Sequence, residues 1–329
     1  MANLATKYLG LDLKNPLIVG SCGLTNSVED IKELEQKGAA AVVLKSIFEE
    51  EIMLEYKSIM EQVEADGNNL EYYDYFDYKI KEDNIKSYIK LIEDVKKEVN
   101  IPIIASVNCV SAHEWTFFAK KIQDAGADAI ELNAFVLPSD CSKTSQENEK
   151  LYFDLIDAVK KHVTIPISLK ISYYFSNLAR MIRTLSETEI SGLVLFNRFY
   201  SPDFDIDNKK VISTHVLSSE NDLPISLRWV AIMADRISCD ISASTGVHDA
   251  KALIKQLLAG ANTVQVVSTL YKNGTGIIET ILKELEIWMD TNDYKTIDDF
   301  KGSMSLEKSN NPAAFERVQF MKYFGDMKP

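Results

Sequence analysis

The sequence predicts a single α/β domain folded as an eight-stranded (β/α)8 TIM barrel. Three observations carry that expectation. Short apolar runs alternate with longer amphipathic runs along nearly the whole chain. The apolar runs are continuous rather than alternating, as in strands covered on both faces. A helix end, a glycine and a buried run recur in that order in "EQKGA", "QDAGADA" and "LLAGANT", which is the punctuation of repeated αβ units. An open dinucleotide-binding sheet fits less well, because no GxGxxG follows the first strand.

The elements follow in order. Leu17 to Gly20 reads as the first strand, and Ser27-Val28-Glu29-Asp30 as a helix cap with an acid three residues on; that helix ends at Gly38. The second strand is Ala39 to Lys45. Residues from about 48 to 83, acidic and tyrosine-rich, show no clean period and are expected to form an excursion over the barrel mouth. Asn84 then opens a helix with Ile85, Tyr88, Ile89, Ile92 and Val95 on one face. The next strands are Pro102 to Val107, 129–133, Pro166 to Lys170, Gly192 to Phe196, Cys239 to Ala243 and Thr263 to Val267. Helices at 112–125, 147–163, 176–187, 224–236, 248–259 and 276–290 separate or follow them. A polar tail, about 291–329, is expected to pack on the barrel with a short helix around Pro312 to Tyr323.

The chain has 329 residues, 46% of them hydrophobic, enough for one sizeable core without a second domain. Its net charge of −13 argues against nucleic acid or phosphoinositide partners, whose binding surfaces are basic. Any anionic ligand needs a locally positive pocket. None of the cysteines, Cys22, Cys109, Cys141 and Cys239, forms a CxxC pair, so no metal site is expected. The start, MANLATKYLGLDLKNP, lacks a secretory apolar run, and no apolar segment of roughly 18 residues suggests a membrane span. A cytoplasmic protein with reduced thiols is the expectation.

In such a barrel, chemistry gathers where strands end and βα loops begin. Those ends are Gly20-Ser21, Lys45-Ser46, Asn108, Asn133, Lys170, Asn197, Ser244-Thr245-Gly246 and Ser268-Thr269. Lys45 and Lys170 close buried runs; each either pairs with a carboxylate or points at a bound anion or reduced cofactor. Asn108, Asn133 and Asn197 are turn formers or, as a ring of amides, readers of a flat heterocycle. "SASTGVHD" (242–249) and "VVSTLYKNG" (266–274) lie where barrels build a phosphate cradle. A phosphate with a planar ring suggests flavin mononucleotide (FMN).

With these residues in place, the chain resembles the dihydroorotate dehydrogenase family. "NPLIVGS" (15–21), "AVVLKS" (41–46), "IELN" (130–133) and "ISLK" (167–170) are similar to that family's flavin segments. "LLAGANTVQVVSTLYKNGTGIIETILKELEIWM" (257–289) is similar to its closing βα unit, and "YKTIDDFKG" (294–302) to its tail. The resemblance implies FMN in the barrel mouth, touched by Gly20, Ser21, Lys45, Ser46, Asn108, Asn133 and Lys170. It places Thr245, Gly246, Val247, Ser268 and Thr269 at the phosphate. Lys45, Asn133, Asn197 and Arg198 would contact substrate. It also implies hydride transfer between flavin N5 and a CH–CH or C=C substrate such as dihydroorotate, a second electron acceptor or donor, and a homodimer.

Two departures stand out. Val136 occupies the position of the family's catalytic cysteine, and valine accepts no proton; Ser139 and Cys141 downstream, with Lys45, become the candidate catalytic residues. The orotate-binding phrase "NxMGLPN" is missing from 48–83. The alternative is therefore a flavin-binding relative with an altered substrate or no dehydrogenase activity. A phosphosugar or thiamin-type barrel would be colourless with a phosphate ligand, and an interaction module would have a mouth closed by side chains. Thr245 stands where the family often has glycine, which a negative φ would accommodate.

Overall fold

The structure is a computed structural model and describes residues 2–48, 73–108, 115–134, 136–198 and 201–316. Among these, the strands in chain order are β1 (Thr6–Tyr8), β2 (Leu11–Leu13), β3 (Leu17–Val19), β4 (Ala41–Val43), β5 (Ile47–Phe48), β6 (Ile103–Asn108), β7 (Ala129–Asn133), β8 (Ile167–Ile171), β9 (Gly192–Leu195), β10 (Pro202–Asp205), β11 (Lys210–Ser213), β12 (Asp240–Ser244) and β13 (Thr263–Val266).

Eight of them form a closed parallel barrel in the order β3-β4-β6-β7-β8-β9-β12-β13, with β13 returning to β3; β5 extends the rim beside β6. All eight strands expected from the sequence are present, with ends that differ from the expectation by at most two residues. They form because each run is apolar on the face turned to the helices: Leu17, Val19, Val42, Ile103, Ile130, Leu169, Leu193 and Val264 all join the main core. Burial on this scale, at about 25 cal/mol per Å² of apolar surface, is the main force closing the barrel.

The barrel floor is a separate core. The antiparallel hairpin β1–β2 turns at Leu9 and Gly10, both at positive φ. It packs Tyr8, Leu9 and Leu13 against Ile18, Ala41, Val43, Ile104 and Ala129 inside the barrel. Gly192 makes the room, since a Cβ there would stand 2.6 Å from Leu9 Cδ2. With the floor plugged, a ligand can enter only from the other end, where the strands finish.

One helix boundary needs correction. The helix expected from Asn84 spans Tyr73–Glu98, because "YDYFDYKIKED" holds no glycine or proline to stop it. Most of the expected excursion, 49–72, lies outside the described residues. Pro202–Ser213, unassigned from sequence, is an antiparallel hairpin standing off the barrel. In the tail, backbone bonds from Gly302 to Leu257, Met304 to Leu258 and Leu306 to Ala231 run along the helices Ala250–Ala259 and Leu223–Met233. The short final helix is Ala313–Glu316, and the rest of its expected span lies outside the described residues.

Candidate functional site

Parallel register aligns the strand ends. Asn108 of β6 is level with Asn133 of β7, and Asn133 with Lys170 of β8. Paired residues of neighbouring strands face the same side, so the two amides and the ammonium form one arc at the mouth. Asn197, just past β9, donates from Nδ2 to Asn133 Oδ1 at 2.7 Å, which fixes both amides.

Beside this arc opens a cavity of about 560 Å³, within the roughly 300–1,000 Å³ typical of small-molecule sites. Ser21, Lys170, Phe196, Asn197, Arg198 and Gln265 line one part of it, and Ser218, Thr245, Gly246, Val247 and Ser268 another. Of the residues expected at the site, Ser21, Lys170, Asn197, Arg198, Thr245, Gly246, Val247 and Ser268 line it, whereas Gly20, Lys45, Ser46, Asn108 and Asn133 are not among its lining residues. Gln265, Ser218, Cys22 and Tyr271 also line it and were not singled out. Gln265 and its partner Glu131 carried a readable signal, being polar residues inside apolar strands.

Lys170 resolves both readings offered for it. Its Nζ donates to Gln265 Oε1 at 3.0 Å and lies 3.6 Å from Glu131 Oε1, while the side chain also lines the cavity. Gln265 Nε2 in turn donates to Glu131 Oε2 at 2.6 Å. Gly20 sits tight against this group: a Cβ would stand 3.0 Å from Val267 Cγ2 and 3.3 Å from Gln265 Oε1. Ser21, Ser46 and Ser106 form a hydroxyl chain, Oγ to Oγ at 3.0 and 2.7 Å, so Ser46 is committed to holding the rim. Lys45 is half-buried, with its backbone N–H on the Thr25 carbonyl.

The other end is a cluster of donors. Ser218 N donates to Ser268 Oγ at 2.9 Å, Gly246 N approaches Ser218 Oγ at 3.4 Å, and Lys272 Nζ donates to the Ser218 carbonyl at 2.7 Å. His248 lies behind them, its Nε2 3.3 Å from Ser218 Oγ; burial, then the Lys272 charge, hold its pKa below the usual histidine value. Lys170 and Arg198 are the cationic side chains among the cavity's lining residues, beside Glu131 and Asp222 respectively.

Several expectations are revised here. Thr245 does not keep a negative φ; it stands at +74°, followed by Gly246 at +82°. Its Oγ1 donates to the Phe196 carbonyl at 3.1 Å, a bond that holds the left-handed turn. Thr269 is buried and its hydroxyl donates to the His248 carbonyl at 3.0 Å, so it supports the loop from behind rather than lining the cavity. Arg198 donates to the Val216 carbonyl at 2.7 Å and lies 3.9 Å from Asp222, which makes it partly a loop clamp. Cys141 and Ser139 are exposed on the loop after β7 and are not among the cavity's lining residues. The loop turns outward because the Val136 N–H is tied to Tyr152 Oη at 3.1 Å and Asp140 Oδ1 accepts from Ser142 N at 2.9 Å. Neither residue is placed to serve as the base.

The family description "Dihydroorotate dehydrogenase" matches residues 3–289. Among curated proteins the chain is similar to the "Dihydroorotate dehydrogenase B (NAD(+)), catalytic subunit" of Thermoplasma volcanium, 27% identical over 319 residues, covering 92% of this chain and 98% of that one. The protein of the same description from Methanothermobacter thermautotrophicus is 25% identical over 306 residues, covering 91% and 97%.

Proposed function

The chain belongs to the dihydroorotate dehydrogenase family, and from that premise we propose that it is an FMN-dependent oxidoreductase acting on a CH–CH or C=C substrate of the dihydroorotate and orotate type. The observation that carries this reading is the two-ended cavity: an ammonium and amides at one end, backbone and hydroxyl donors at the other.

The donor set fits FMN. Gly246 N, Ser218 and Ser268 line the cavity and suit a dianionic phosphate, and residue 246 has to be glycine for the loop to close there, since a Cβ would stand 2.2 Å from Leu223 N. Lys170 and Ser21, both lining the cavity, would hold the electron-rich edge of the ring system. When bound, FMN supplies a two-electron centre whose N5 exchanges hydride with the substrate carbon. The protein's part is placement. Lys170 stabilises negative charge on the ring, and Asn133, fixed by Asn197, presents amide groups to ring and substrate. Lys45 and Arg198 offset charge on an anionic substrate. A second electron acceptor or donor closes the cycle. A homodimer and a cytoplasmic setting belong to the same reading.

One observation favours the alternative, a flavin-binding relative with a changed substrate. Val136 replaces the expected base, and the nearby Cys141 and Ser139 face solvent. Cys22 does line the cavity, but burial raises its thiol pKa, which disfavours it as a base.

The test is a visible absorption spectrum of the purified protein, with FMN added, before and after anaerobic dihydroorotate. One bound FMN per chain that bleaches on addition supports the full proposal. Bound FMN that stays oxidised moves the substrate to the alternative. Failure to take up FMN at all overturns the reading.

A further inference from the structure

Glu131 is the most buried charged side chain in the barrel, 1% exposed, and the chemistry proposed above gives it no role. A carboxylate in such a place is costly unless it is paired and hydrogen-bonded. It lies inside β7, level with Ser106 of β6 and Ser168 of β8, one layer below the arc of Asn108, Asn133 and Lys170. Gln265 hydrogen-bonds its Oε2 at 2.6 Å, while its Oε1 has no hydrogen-bond partner and faces the Lys170 ammonium as an ion pair at 3.6 Å.

The order of these bonds matters. A carboxylate only accepts, so Gln265 must turn its NH2 toward Glu131. Its carbonyl oxygen then has to face the other way, where Lys170 meets it at 3.0 Å. Glu131 therefore sets which end of the Gln265 amide faces Lys170. Its negative charge also lies close enough to offset part of the lysine's charge in a weakly screening interior.

We propose that Glu131 is a positioning residue that acts through Gln265, fixing where the Lys170 ammonium stands and limiting how much of its positive charge reaches a bound flavin. The proposal rests on the FMN reading. It goes beyond that reading by assigning the ring's charge balance to a residue that touches neither ring nor substrate. Reduced FMN carries more negative charge than oxidised FMN, so an unopposed Lys170 favours the reduced form. The parent protein, with Glu131 in place, restrains that preference.

The test is Glu131→Gln, which keeps the shape and an acceptor for Gln265 but removes the charge. The readout is the ratio of affinities for reduced and oxidised FMN, obtained by spectroelectrochemical titration. In Glu131→Gln this ratio is expected to shift at least tenfold toward reduced FMN, about 30 mV for a two-electron couple. A shift under threefold overturns the proposal. Ser168→Ala, a change in the same interior layer with no charge involved, is expected to leave the ratio within twofold; an equal shift there would mark the effect as general loosening and also overturn it. Should Glu131→Gln not fold, Glu131→Asp shortens the carboxylate away from Gln265 and must move the ratio at least threefold, an unchanged ratio counting against the proposal. If the parent protein binds no FMN, the fault lies with the functional reading, and thermal unfolding of Glu131→Gln and Gln265→Leu then shows separately whether the network is only structural.

Discussion

At the scale of single residues, Cys141 and Val136 separate what the chain contains from what its site can use. A thiol five residues past the family's base position is a reasonable substitute on paper. The structure turns it to solvent, because Tyr152 holds the backbone at Val136 and the following loop curls on Asp140. Accessibility and thiolate character decide alkylation. Cys141 is exposed, whereas burial raises the thiol of Cys22 and pushes that of Cys239 up to about 12. Iodoacetamide at pH 8 is therefore expected to label Cys141 at least tenfold faster than Cys22 or Cys239, as read by peptide mass spectrometry. FMN binding and any turnover are expected to stay within twofold after Cys141 is labelled. Loss of turnover in step with that labelling would reinstate the thiol as the base.

At the scale of elements, the loop after β12 shows how backbone geometry builds a site. Thr245 and Gly246 both take left-handed conformations, at an order of 1–3 kcal/mol for the non-glycine residue. The turn brings the Cα of Gly246 against the start of the helix Leu223–Met233, where a side chain on residue 246 would overlap Leu223, and leaves its N–H toward Ser218. Gly246→Ala is expected to weaken FMN binding at least 100-fold and to lower the apo protein's melting temperature by several degrees. Fluorescence titration and thermal unfolding check both, and near-parental FMN affinity would remove the phosphate from this loop. The eight strands were legible because each is a continuous apolar run closed off by glycine or a capped helix. The mouth residues were legible because register follows once strands are aligned. The hairpins were not, since their few residues carry no long period. Nor was the pairing of Glu131 with Gln265: both polar intrusions stand in the sequence, but they lie 134 residues apart and only barrel closure joins them.

At the scale of the whole molecule, the hairpin of β10 and β11 is out of keeping with an otherwise well-buried chain. Phe204, Ile206 and Val211 are 71%, 82% and 63% exposed, and Val216 beside them is 74% exposed. Phe204 and Val211 are cross-strand partners on one face, and such a patch marks an association surface. Asp203 and Asp205 of β10 and Lys210 of β11 alternate to the opposite face, with Asp205 and Lys210 cross-strand partners there, so the Phe204–Val211 face is left apolar and can meet its own copy across a two-fold axis. The chain is accordingly expected to sediment as a dimer at micromolar concentration. Phe204→Asp combined with Val211→Asp is expected to weaken dimerisation at least tenfold while leaving FMN uptake intact, because the hairpin contributes no residue to the cavity lining. A parent chain that sediments as a monomer at tens of micromolar, or a double variant that dimerises as tightly as the parent, would show that this face has another purpose.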